Sequence, residues 1–74
     1  MVAVNMSNFG FDGDRPFTKE DALNFEGENV AVKLFDSGLS RICEGVLSEV
    51  TDTTIKVGDE VLLNECVRKV TFKD

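Results

Sequence analysis

Along residues 29–72 the apolar positions fall into five short runs, each closed by turn formers and none separated by enough chain for a helix. The runs cover residues 29–35, 41–50, 53–57, 60–63 and 67–72. Their breaks fall at Asp36-Ser37-Gly38, Thr51-Asp52-Thr53, Gly58-Asp59 and Asn64-Glu65. Short strands at this spacing, with turn signals between them, predict a mainly β, five-stranded antiparallel barrel. The first run alternates cleanly, with Val30, Val32 and Leu34 on one face and Ala31, Lys33 and Phe35 on the other. The second is apolar on both faces, and Gly45 in its middle predicts the bend that lets a small sheet curl on itself. Gly58-Asp59 predicts a tight hairpin between the third and fourth runs. Val67 and Val70 are three apart, which predicts a short 3₁₀ turn ahead of the last strand.

Upstream of the strands the period changes. Residues 18–25 predict one short N-terminal helix, capped by Thr18, with Glu20 and Asp21 in its first turn and Gly27 as its stop. A helix this short is not stable alone in water, so Ala22 with Phe25 or Leu23 is expected to dock on the strands. Residues 1–16 are dense in Gly, Asp and Asn and hold no period, which predicts a loosely ordered arm. Phe9 and Phe11, with Phe17 at the start of the 17–74 domain, are expected to tuck against the barrel or a neighbouring chain. They form the apolar part of a candidate interaction surface. Val2 and Val4 give the arm the means to add a strand to a sheet edge.

Size and charge narrow the function. The chain has 74 residues, enough for one domain. A chain of this size buries only about 60% of the surface its unfolded form exposes, so association with a partner or with itself is expected. The formal net charge is −6, which disfavours nucleic acid as a partner because phosphate binding needs a cationic surface. Arg68, Lys69 and Lys73 nevertheless gather on the last strand, with Lys33 and Arg41 joining them if strands one, two and five adjoin. The competing reading, lysines placed on an edge strand to discourage unwanted pairing, is preferred.

Catalysis is not expected. The chain has no histidine, and Asp36, Glu44, Glu49 and Asp52 are spread along exposed faces and turns, where ordinary solvated charge is expected. Cys43 finds no base in its sequence neighbours Arg41 and Glu44. Cys43 and Cys66 read as two small core hydrophobes of a reducing cytoplasm. Zinc is excluded by the lack of a four-ligand set, and calcium because Asp12-Gly13-Asp14 is not followed by the remaining loop ligands. No cofactor and no small-molecule substrate is expected. No leader or membrane span stands out, so the expected location is the cytoplasm.

The stretch Val30-Ala31-Val32-Lys33-Leu34, then Gly38, Glu44-Gly45-Val46-Leu47, Val50, Asp52, Ile55 and Val57 resembles the SH3-like small barrels, and among them the Sm-like fold. The closing segment, Val61-Leu62-Leu63 with Val67 and Val70, is also similar to the C-terminal domain of bacterial ribosome-maturation factors. The resemblance covers about three fifths of the chain. It implies a short helix followed by five strands and, for Sm-like proteins, rings that bind single-stranded RNA. Their RNA contacts come from an Asp-x-x-x-Asn type loop and an Arg-Gly type loop. The corresponding segments here are Asp52-Thr53-Thr54 and Asn64-Glu65-Cys66, which carry neither motif, and the chain has no Tyr, Trp or His to stack on bases. The expected function is therefore a non-enzymatic protein–protein interaction, accessory or assembly module in a bacterial or phage setting. Sm-like RNA binding is the first alternative, and an acidic mimic of nucleic acid the second.

Overall fold

The computed structural model describes residues 10–13 and 15–73. In chain order the elements are α1 (Lys19–Leu23), β1 (Asn29–Asp36), β2 (Leu39–Ser48), β3 (Thr54–Val57), β4 (Glu60–Leu63), a 3₁₀ turn (Asn64–Cys66) and β5 (Val67–Phe72). The strands form one antiparallel sheet in the order β4-β3-β2-β1-β5. The protein is mainly β, as its alternating runs predict. Among the described residues no ladder joins β4 to β5, so the hydrogen-bonded sheet is open along those two strands.

Alternation decides the faces. Val30, Val32 and Leu34 point inward from β1 and are buried, while Lys33 and Phe35 face out. Leu47, Ile55, Val57, Leu62, Val67 and Val70 complete the strand contribution to the core. The apolar surplus of β2 faces solvent: Ile42 and Val46 are exposed, and Cys43 opposite Val32 lies on the inner side. Gly45 lies within β2 with a φ of 155°. A Cβ there would come within 2.7 Å of the Gly58 Cα, so only glycine lets the β3–β4 turn approach β2 this closely. That hairpin has the two-residue turn expected of Gly58-Asp59, with Val57 paired to Glu60.

The spacing of Val67 and Val70 has another cause than the one predicted. The 3₁₀ turn lies earlier, at Asn64–Cys66, and Val67 already belongs to β5. Leu34 pairs with Val67 and Lys33 with Lys69, so Arg68 is an extra residue, a bulge that returns both valines to the inner face. Asn64, the first residue of the 3₁₀ turn, is buried; its side-chain amide donates to the carbonyls of Thr51 and Asp52 at 3.4 and 3.3 Å, tying the β2–β3 connection down.

The helix is shorter than its pattern, ending at Leu23 and continuing as turns to Gly27, whose φ is 82°. Thr18 caps it as expected, in a reciprocal capping box with Asp21. Ala22 and Phe25 dock inward, Phe25 against the ring of Phe72 at 5.1 Å, and Leu23 stays exposed. The described part of the N-terminal segment runs along β5. Phe11 exchanges both backbone hydrogen bonds with Val70, each 2.8 Å long, and its ring meets Phe17 edge-on at 4.9 Å. A Cβ on Gly10 would collide with the Val70 carbonyl, so glycine at this position permits the close pairing.

Candidate interaction surface

The three strands β2, β1 and β5 present one outer face, and cross-strand pairing sets which side chains share it. Lys33 on β1 stands opposite Lys69 on β5 and opposite Ile42 on β2. One step along, Phe35 stands opposite Ser40. Directly opposed residues hold their Cβ atoms about 4.5–5.5 Å apart, so two ammonium groups share one cross-strand position, which disfavours the pairing. The bulge places Arg68 beside them. Its Nη1 donates to the Glu65 carbonyl at 2.9 Å, and its guanidinium lies 5.9 Å from the centre of the Phe35 ring.

Two adjoining depressions share both lysines. The larger, about 520 Å³, includes Phe35, Ser40, Arg68 and Asp12 in its wall; the smaller, about 260 Å³, runs over Ile42 and Thr71. Ile42 is 63% exposed and Phe35 45%.

The distribution of ion pairs singles this face out. Arg15 pairs with Asp21, Lys19 with Asp52, Arg41 with Glu60, Lys56 with Glu49 and Lys73 with Glu44. The remaining basic residues, Lys33, Arg68 and Lys69, make no ion pair among the described residues. In a chain with a net charge of −6, the three cations without an ion pair among the described residues stand together, with Asp12 in the wall of the depression they line.

The residues singled out from sequence divide accordingly. Arg68 and Lys69 are on this face. Lys73 lies just past the end of β5, held at 3.0 Å by Glu44. Lys33 joins the group, as adjacency of strands one, two and five required. Arg41 does not, because it shares a face with Leu34 and pairs with Glu60. Phe11 and Phe17 are placed inside the core, each 5% exposed, where no partner reaches them while the fold is intact. Phe9 lies outside the described residues. Phe35 and Ile42 were not picked out from sequence, although the alternation of β1 already put Phe35 beside Lys33.

The cysteines are free thiols, both half-buried. Burial raises the Cys43 ionisation above its usual range, and Glu60, with Oε1 3.7 Å from Sγ, raises it further. The Cys43 thiol therefore stays protonated at neutral pH, a poor nucleophile. Among the described residues no group of His, Cys, Asp or Glu could hold a metal ion, and no helix is long and apolar enough to cross a membrane.

In comparisons with family models, curated proteins and solved structures, nothing matches this chain.

Proposed function

We propose that this chain is a non-enzymatic small barrel of the SH3-like, Sm-like kind that works as a protein–protein interaction or assembly module. The observation that carries the reading is the outer face of β2, β1 and β5. There Lys33, Lys69 and Arg68, none of them ion-paired among the described residues, stand beside exposed Phe35 and Ile42, with Asp12 the one carboxylate in the wall of the larger depression. Apolar side chains rimmed by charge on a rigid sheet are what a protein partner uses: the apolar part supplies affinity, the charge orientation and rate. The barrel reading is supported by Arg41 of β2 pairing with Glu60 of β4, strands that are not ladder neighbours, and by one depression lined by Leu34, Val61 and Cys66. Both bring β4 toward the β1–β2 hairpin, the direction in which a curled sheet closes.

A photoreactive side chain at position 42, with position 56 on β3 as control, tests the reading in cells of the source. Crosslinks to protein from position 42 and none from position 56 are expected. Crosslinks to RNA or DNA from position 42, or none at all, overturn it.

A further inference from the structure

The cationic face has its complement on the same chain. Of the exposed large apolar residues, Leu23 has carboxylates on both sides, Glu20 and Glu26, that make no ion pair among the described residues; Glu28 follows in the same state. Val61, by contrast, adjoins Glu60, which is held by Arg41, and Val46 stands two residues from Glu44, which is held by Lys73. Glu20 and Leu23 are three apart on the helix. The Glu26 N–H then bonds the Leu23 carbonyl at 3.4 Å, an i to i+3 step that sets these two side chains on one side. The end of α1 thus presents a leucine between glutamates.

We infer that the partner of the Lys33–Lys69–Arg68 face is the Glu20–Leu23–Glu26 surface of a second copy of this chain. Leu23 enters the apolar ground between Phe35 and Ile42, and the glutamates neutralise the lysines and Arg68. Three facts favour a copy over another occupant: the charges are complementary, each surface has an apolar centre, and none of Lys33, Lys69, Arg68, Glu20 and Glu26 makes an ion pair among the described residues. The like-charged pair Lys33–Lys69 is disfavoured in the isolated chain and is relieved when carboxylates arrive. A domain of this size also gains from burying outer surface. The inference rests on the protein-contact reading above and names its partner.

Charge exchange tests it. Light scattering on the full chain at low salt should give a mass that is a multiple of 8.2 kDa and that falls toward one chain as salt rises, because rim ion pairs are screened. K33E/K69E and E20K/E26K should each weaken association more than about a hundredfold, since each sets like charges against each other. Mixed together, the two variants should associate again, because the first then has two acidic surfaces and the second two basic ones. Circular dichroism of each variant separates loss of contact from loss of fold. A folded pair of variants that does not re-associate on mixing overturns the inference, as does wild-type association unaffected by either exchange; self-association through another surface would then keep the protein-contact reading. A wild-type chain that is monomeric at every concentration also overturns the inference, and the crosslinking from position 42 then decides the reading separately.

Discussion

Arg15 and Asp21 meet in two parallel hydrogen bonds, Nη1 to Oδ2 at 2.6 Å and Nη2 to Oδ1 at 2.7 Å. The same carboxylate accepts the Thr18 N–H at 3.0 Å, so one side chain closes the helix start and holds the segment that leads to it. The Arg15 guanidinium lies 5.4 Å from the centre of the Phe11 ring, which links this tie to the core. Acidic and basic partners six residues apart in sequence thereby tie the described residues just ahead of the helix to its first turn.

This tie makes part of the stability depend on acid. The Arg15 hydrogen bonds, with those from Thr18, outweigh burial and hold the Asp21 carboxyl at about 2, below its ordinary 3.8. A depressed carboxylate contributes stability that is fully present above its unfolded value and is lost as pH falls through the folded one. Asp21→Asn should cost about 1–2 kcal/mol at pH 7, an amount reduced by the solvent around the exposed Arg15. In urea titrations the gap between wild type and Asp21→Asn should narrow between pH 4 and pH 2; a gap that stays constant contradicts the assignment.

Gly45→Ala should be among the most damaging single-methyl additions available to this chain. The new Cβ meets the Gly58 backbone, which has no flexible end to move aside. The expected loss is about 2–3 kcal/mol. Gly38→Ala, where the added methyl meets nothing within 4 Å but φ is 82°, should cost only about 1 kcal/mol. Chemical denaturation of the two variants side by side checks the order.

Lys69→Glu turns the opposed lysines into an ion pair across β1 and β5. The single chain should gain about 0.5 kcal/mol at low salt, with the gain shrinking as salt is added. The same substitution should weaken contact with any acidic partner, so stability and binding move in opposite directions. Thermal unfolding at two ionic strengths, set beside light scattering, reads both; a loss of stability at low salt refutes the predicted pairing.

Cys43 should alkylate more slowly than a thiol of the unfolded chain at pH 8, and its rate should keep rising at pH values where an ordinary thiol has levelled off. Mass spectrometry of peptides after timed alkylation, native against urea-unfolded, measures it. Equal rates in the two states would show that burial does not control this thiol.

Local order decided much of the fold, and that part was legible. The alternation of Val30, Val32 and Leu34, the two-residue turn at Gly58-Asp59 and the cap at Thr18 each act over a few residues, so the chain displays them directly. Gly45 stood out as a glycine in an apolar run, although what it makes room for, the Gly58 backbone, was not visible. Long-range pairing was beyond local reading. The bulge at Arg68 arises because β5 must match β1, a strand far earlier in the chain, and the burial of Phe11 because its backbone completes an edge of β5. The candidate surface belongs to the same class. Lys33, Lys69 and Phe35 are unremarkable letters in separate strands, and only the register of the sheet sets two ammonium groups opposite one another with an aromatic ring one step away. Sequence alone determined which side of β1 turns to solvent; the tertiary structure determined it for the doubly apolar β2 and decided which solvent-facing groups meet, because hydrogen-bonded register is a property of pairs of strands and not of either strand by itself.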